Sequence, residues 1–406
     1  VSAPSTGPAR RRRPFALVTH SYYEEDPRVR RQAESIAAAG REVDVYALRR
    51  PGDEPRGTIA GVRVRRFDVQ RHQGAGIGTY LLEYVAFFVR VALALVAAQP
   101  RRRYALVQVA TLPDWLVLAA LPLRLAGVPV VLDLHEAMPE FFRSRFPAAA
   151  NPVVHRGLEL AERISIAAAT HAITVNDGLR DRLLARGVGP GRIDVVPNSP
   201  SLARFDAAAH PTRAFMADGT LRLVYAGALT PTYELDVLVD AIGWLRADRP
   251  GLPLRLDLYG RGDARPALEA QVARLGLGDA VTFHGRIPIE DVPAAIAAAD
   301  IGIAPTRRDR FTDVSLSTKI FEYSAMGLAV VASALPLVER TFPAGTISTY
   351  QPGDAVGLGR AIAALVDDPA SRDASIGRAR DLVIARSWEE AAPRYLALLD
   401  RLAGAR

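Results

Sequence analysis

Short runs rich in valine, isoleucine and leucine recur along the chain, each followed by a polar stretch or an alanine- and arginine-rich stretch of helical character. This alternation constrains the fold more than any other feature. FALVTH (15–20), PRVRRQAESIAAAG (27–40) and EVDVYAL (42–48) read as strand, helix and strand. Asp26 fits an N-cap, Pro27 the first helical position and Gly40 the stop. Further strands are expected at 62–67, 105–110, 128–135, 171–176 and 193–198. Strands that are apolar throughout and separated by helices imply a parallel sheet covered on both faces. Residues 201–220, with Pro, Gly and Asp and no clear period, read as a linker. The rhythm then restarts at 221–227, 254–260, 281–286, 301–305, 328–333 and 345–350. The expected fold class is α/β, with two doubly wound domains facing each other across a cleft, and 406 residues suffice for both.

Hydrophobic residues make up 49% and charged residues 23%, a globular composition. Lys and Arg (51) outnumber Asp and Glu (44), and the formal charge of +7 suits anionic partners such as nucleotides, sugar phosphates or acidic lipid headgroups. Nucleic acid is not an expected partner, because the arginines are spread along the chain and no recognised motif accompanies them. The lack of cysteine excludes disulfide scaffolds, thiolate metal sites and thiol nucleophiles. PFALV, behind the basic run at 10–13, is too short for a signal-peptide core, so a cytoplasmic protein is expected. Segment 81–98 holds Glu83 and Arg90, and segment 115–132 holds Pro122, Arg124 and Gly127; the expectation is a buried helix, then a helix and strand. Arginines at 10–13 and 101–103 leave open an interfacial role for the first segment, as a peripheral contact with an acidic surface such as the inner face of the plasma membrane.

In open α/β sheets ligands sit at the carboxyl ends of the strands. The strongest such segment is STKIFEYSAMGLAVVAS (317–333). Ser317, Thr318 and Lys319 open a helix whose amides and ammonium suit a diphosphate, and Glu322, one turn on, is placed for ribose hydroxyls. On spacing alone, a weak helix-surface pair of Lys319 and Glu322 is the favoured reading. In the first half, His20, Asp26, Arg28 and Arg31 follow the first strand, Asp114 follows the strand at 105–110, and His135 ends the strand at 128–135 ahead of Glu136 and Glu140. Structural readings stand beside these: Asp26 as a helix cap, Arg31 as a solvated helix residue, His135 as a packing histidine. No DxD motif or His/Asp cluster shows metal-ligand spacing, and no metal is expected.

The opening HSYYEEDPRVRRQAESIAAAGREVDVYAL, then LDLHEAMPEFF, ITVNDGLRDRL, IDVVPNS, LVYAGALT, LYGRGD, VTFHGRI and TKIFEYSAMGLAVVAS, in this order and spacing, resemble the retaining glycosyltransferases of family 4. The likeness is greatest to bacterial exopolysaccharide and cell-envelope enzymes with the pattern S-L-x-x-K-x-F-E-Y-x-A-x-G. It implies the two-Rossmann GT-B fold, with an acceptor-side domain at 14–205, a nucleotide-sugar-binding domain at 206–386, and 387–406 crossing back to the first. It also implies a nucleotide-diphosphate sugar as co-substrate, no separate cofactor, and a glycan, lipid-linked or small-molecule acceptor.

Carried over by position, His135 contacts the transferred sugar, Lys319 the diphosphate and Glu322 the donor ribose. Gly227 gives the diphosphate or donor sugar backbone access, with a plain turn glycine as the other reading, Gly260 and Gly262 admit base and ribose, His284 and Arg286 belong to a turn that reads the nucleobase, and Ser317 and Thr318 complete the donor side. His20, Asp26, Arg28, Asp114 and Glu136 face the acceptor. Two departures stand out. The first glutamate of the family's Glu, seven residues, Glu signature falls at Val314, beside Asp313, and the family's diphosphate Arg and Lys are replaced by Ala228 and Tyr233. Positive charge is then expected from Lys319, with Arg307, Arg308 and Arg310 behind it.

The expected reaction passes through a short-lived oxocarbenium-like ion pair, with the departing phosphate taking the acceptor proton and domain closure excluding water. A UDP-sugar 2-epimerase of the same architecture, which would release free sugar without an acceptor, and a non-catalytic nucleotide-sugar-binding protein are the alternatives.

Overall fold

The computed structural model describes residues 12–69, 77–146, 151–210 and 213–404. The first half runs β1 (Phe15–Tyr22), α1 (Pro27–Ala38), β2 (Val43–Leu48), β3 (Arg56–Ile59), β4 (Val62–Phe67), α2 (Ile77–Arg102), β5 (Leu106–Ala110), α3 (Leu121–Leu125), β6 (Val130–Leu134), α4 (Met138–Arg145), α5 (Pro152–Ala168), β7 (His171–Thr174), α6 (Asp177–Ala185) and β8 (Ile193–Val195). The second runs β9 (Leu221–Ala226), α7 (Leu235–Asp248), β10 (Leu254–Tyr259), α8 (Arg265–Arg274), β11 (Val281–Gly285), α9 (Val292–Ala297), β12 (Ile301–Ala304), α10 (Thr318–Ala325), β13 (Ala329–Ser333), α11 (Pro336–Thr341), β14 (Ser348–Tyr350), α12 (Ala355–Asp367), α13 (Pro369–Ile384) and α14 (Trp388–Gly404).

The first sheet has eight strands in the order β3-β4-β2-β1-β5-β6-β7-β8, and the second has six in the order β11-β10-β9-β12-β13-β14. Among the described residues only the β3–β4 hairpin is antiparallel. Chain order reverses at β1/β5 and at β9/β12, so each sheet opens a crevice at its carboxyl edge there. Along β1 and β5 successive side chains serve two cores. Ala16, Val18, Val107 and Val109 pack under α2, α3 and α5, together with a 3-10 turn at Asp114–Ala120. Phe15, Leu17 and Leu106 pack under α1 and α14. That double burial is why these strands carry no polar alternation.

α14 belongs to the first sheet's core: Trp388, Tyr395 and Leu399 pack with Phe15, Val29 and Ile36, and Trp388 Nε1 donates to Ser35 Oγ at 2.9 Å. The sequence suggests a kink or break at Pro393, yet one helix continues through it. Trp388 and Tyr395, on either side of the proline, sit in that core with ring centroids 5.6 Å apart, and this packing offsets the hydrogen bond that proline cannot make. The linker is fastened to the same helix: Glu389 accepts from Ser201 Oγ and from the amides of Leu202 and Ala203, and Trp388 N donates to Pro200 O.

α2 departs from expectation. Its inner face is buried at Phe87, Val91 and Leu95, but Leu82, Val85, Val89, Leu93 and Val96 are exposed. By length and composition it is the one helix among the described residues able to cross a membrane. Residues 115–132 form the 3-10 turn, α3 and the start of β6.

Candidate active site

A cavity of about 1220 Å³ lies between the carboxyl edges of the two sheets. Arg28, His135 and Glu136 line it from the first domain, and Gly262, Ser317, Thr318 and Lys319 from the second. Ser317 is the N-cap residue of α10, but its hydroxyl makes no capping bond and is buried without a partner. The first-turn amides of α10 therefore keep the partial positive charge that a cap would satisfy. Lys319 adds a full charge. Its ammonium makes no ion pair among the described residues and stands 3.8 Å from the Tyr233 ring centroid and 5.2 Å from that of Tyr225. Tyr233, at the position where the family carries a cation, thus holds a cation instead.

Glycines explain how Lys319 reaches this place. A Cβ on Gly227 would stand 2.2 Å from Lys319 Cε, so the room that the sequence reading assigned to a diphosphate is taken by the lysine stem. A Cβ on Gly260 would meet Gly227 O at 1.7 Å, and one on Gly262 would meet Leu229 O at 1.9 Å. These glycines let two loops pack backbone on backbone, Leu229 N donating to Arg261 O at 2.9 Å. Of the three, only Gly262 also lines the cavity.

Glu322 is half-buried one turn beyond Lys319 and does not line the cavity. Burial pushes its carboxyl above the usual range, while Lys319, the Thr318 hydroxyl, Arg204 and Arg31 pull it back. Val314 offers only its carbonyl, which accepts from Asn176 Nδ2 at 3.2 Å. Asp313 does not stand in for the missing glutamate, since it pairs with Arg308 at 3.2 Å. Arg307 lies 3.7 Å from Asp236, and Arg307, Arg308 and Arg310 stay outside the cavity lining, whereas Arg261, which the sequence reading passed over, is part of it. His284 and Arg286 also stay outside. The polar groups of both are turned to protein: His284 to Asp257 at 2.6 Å and, by stacking, to Tyr259; Arg286 to Glu25 of the first domain at 2.8 Å.

In the first domain His135 closes a buried hydrogen-bond chain. Tyr395 OH donates to Gln108 Oε1 (2.7 Å), and Gln108 Nε2 donates to Asp133 Oδ2 (2.8 Å). Asp133 also accepts from Gln32 Nε2 (3.0 Å) and pairs with His135 Nε2 (3.0 Å). With Nε2 committed to Asp133, His135 Nδ1 has no partner at the cavity wall. Sequence reasoning missed this chain. The available signal was the V-L-D-L-H run, since residues two apart on a strand share a face.

Asp26 caps α1, accepting from the amides of Arg28 and Val29 and from Ser21 Oγ. Burial raises its carboxyl, but Arg28, His135 and these bonds together hold it below the usual range. Arg28 stays beside it, 3.7 Å away, and reaches the cavity. Arg31 is not solvated: it donates to Ser199 O and Asn198 Oδ1 and lies over the Trp388 ring, and burial pulls its guanidinium down to about 10. His20 is buried against Tyr84 and Phe87. Asp114 is sealed from the cavity at 2% exposure with neither oxygen hydrogen-bonded, and burial raises its carboxyl to about 8. Glu140 is held by Arg182 and Arg186. Neither His20, Asp114 nor Glu140 lines the cavity where an acceptor would enter.

Two family descriptions match the chain: "Glycosyl transferase 4-like domain" over residues 26–199 and "Glycosyl transferases group 1" over 220–368. The D-inositol 3-phosphate glycosyltransferase of Pseudarthrobacter chlorophenolicus is 29% identical over 292 residues, covering 69% of this chain and 68% of the relative. Among solved structures, the sucrose-phosphate synthase of Thermosynechococcus elongatus superposes with a TM-score of 0.80 at 22% identity, over 97% of this chain and 100% of that one. Anabaena HepE in complex with UDP-glucose gives 0.68 at 15% identity, over 95% and 99%. At such identities the structural likeness speaks for the fold.

Proposed function

Because the chain belongs to the family 4 glycosyltransferases and is an enzyme of that class, built on the two-domain GT-B fold, we propose that it moves a sugar from a nucleoside-diphosphate donor to a hydroxyl acceptor, with retention at the anomeric carbon and without a metal ion. The single observation that carries this reading is Lys319, an ammonium without an ion pair at the uncapped start of α10, inside a cavity whose opposite wall holds His135. Charge develops on the leaving diphosphate as the anomeric bond breaks, and Lys319 with the α10 amides is preorganised to receive it. The same phosphate then takes the acceptor proton, on the face that the sugar has left. His135 Nδ1, its ring fixed by Asp133, is positioned for a hydroxyl of the transferred sugar. The relative solved with UDP-glucose supports a uridine donor as the first to test.

Lys319→Ala is expected to weaken UDP binding by about 1.5 to 3 kcal/mol, the usual worth of a charge-assisted contact, while leaving the fold intact. Calorimetric titration of UDP reads this directly, and unchanged affinity would remove Lys319 from the donor site. Activity is expected to persist in excess EDTA, and proton NMR of the first-formed product should show the donor's anomeric configuration. Loss of activity restored by magnesium, or an inverted product, would overturn that part of the reading.

A further inference from the structure

The outer face of α2 is unusual for a helix packed on a sheet. Leu82, Val85, Val89, Leu93 and Val96 lie three or four residues apart, so they form one stripe along the helix, and they are 44 to 73% exposed. Phe87, Val91 and Leu95 on the opposite face are 0% exposed in the core, which ties the helix to the sheet instead of freeing it to span a bilayer. α5 covers the same face of the sheet and adds exposed Val153, Leu160 and Ile164. The one acidic residue in α2, Glu83, is 7% exposed, so no carboxylate interrupts the stripe.

Beside the stripe, a depression of about 360 Å³ is lined by Arg56, Arg65, Arg66 and Arg90, with Asp68. Arg66 is paired with Glu24. Arg56 and Arg65 pair with no carboxylate among the described residues. At its other end, α2 runs into the interdomain cavity, where Tyr80, Leu81 and Tyr84 join Trp115, Phe141 and Leu158 in an apolar wall. One surface therefore offers an apolar stripe, a basic depression beside it, and an apolar route into the site.

We propose that this face of the first domain docks on an anionic bilayer and that the acceptor is an amphiphile, a hydroxyl-bearing headgroup on an acyl or isoprenoid chain, drawn from that surface into the cavity. The acceptor half rests on the transferase reading above, and the docking half does not. The arginines meet lipid phosphates and the stripe enters the headgroup boundary, while the tail of the acceptor passes Leu81 and Tyr84. Arg10 and Arg11, part of the basic run expected to flank this helix, lie outside the described residues; Arg12 and Arg13 are held by Asp400 and by the carbonyls of Arg103 and Tyr104.

Flotation of the full chain with vesicles of phosphatidylcholine, alone or mixed with phosphatidylglycerol, tests the docking. Binding is expected on the anionic vesicles only, falling about tenfold or more in Leu82→Glu/Leu93→Glu and about fivefold for each of Arg65→Ala and Arg90→Ala. A wild-type thermal shift with UDP in each variant shows that the fold and donor site persist. Equal binding to both vesicle types, or a UDP-responsive chain that floats with neither, would overturn the proposal. So would a dimer in sedimentation that the leucine substitutions dissociate, which would make the face an interface between copies. For the acceptor, transfer is expected to a hydroxyl lipid in anionic vesicles and to fall at least about tenfold for the same headgroup without its chain. Equal transfer to both would overturn the amphiphilic acceptor. A chain that floats and binds UDP yet moves no sugar to anything would sink the transferase reading, and the acceptor with it, while the docking stands.

Discussion

Gly227 has no side chain because Lys319 occupies its place, and this has a measurable consequence. Gly227→Ala should displace the lysine stem and weaken UDP binding nearly as much as Lys319→Ala, in a protein whose melting temperature changes little; retained affinity would show that the stem has another route. Asp114 gives a pH test. Its carboxyl is raised from 3.8 to about 8 by burial first and by Glu162 next. The folded state therefore binds more protons than the unfolded state between those values, and stability through this group is lost as pH rises across that window. The unfolding free energy of Asp114→Asn relative to the wild type, from denaturant titrations, should climb from pH 4 to 8 by at most about 1.4 kcal/mol per pH unit and then level off; parallel profiles would refute the buried, protonated acid. At this scale the sequence showed residue types at strand ends but not their partners. Lys319, His135 and Asp26 were legible because each begins or ends an element, and Arg28 and Glu136, reached from the same loops, do line the cavity. Asp114 and His20 looked alike in sequence, yet His20 is closed off by Tyr84 and Phe87 of the distant α2, and Asp114 is buried at the start of its own 3-10 turn.

At the scale of elements, the strands and the helices between them were readable because apolar runs and caps are local signals. Which helix face remains uncovered is not local, and α2 passed for a buried helix since hydropathy counts residues without counting neighbours. α14 shows the same limit in a functional setting: its apolar spacing marked a core helix, but nothing in it revealed that Tyr395 reaches Gln108 and, through Asp133, His135. Tyr395→Phe should cost about 1 kcal/mol of stability for the lost hydrogen bond. If the chain positions His135, the same change lowers kcat several-fold, leaves UDP affinity untouched and shifts the pH profile of kcat. A loss of stability with an unaltered profile would leave Tyr395 a packing residue only.

Across the whole molecule, the two domains meet through Arg286–Glu25 and Arg145–Asp263, each at 2.8 Å, with Arg340–Asp181 at 3.4 Å and Ser144 Oγ donating to Asp309 at 2.6 Å. Partly exposed pairs of this kind are worth about 0 to 1 kcal/mol each and weaken in salt. Closure should accordingly loosen with ionic strength, seen as a larger radius of gyration by X-ray scattering. Arg286→Glu should loosen it at low salt, and adding Glu25→Arg should restore it; a radius indifferent to all three would mean that closure rests on other contacts. The two-domain plan was legible from the restart of the alternation, whereas these crossing pairs, remote in sequence, were not. The return of α14 to the first core carries one more consequence, in the order of synthesis. On the ribosome, the slot between Phe15, Val29 and Ile36 stays empty while the second domain is made, and neither the Tyr395 end of the chain behind His135 nor the linker's clasp on Glu389 exists until α14 emerges. Of the two domains, the one translated earlier is thus finished later, and a nascent chain stopped after α13 would carry a complete donor half beside an acceptor half still open at its core.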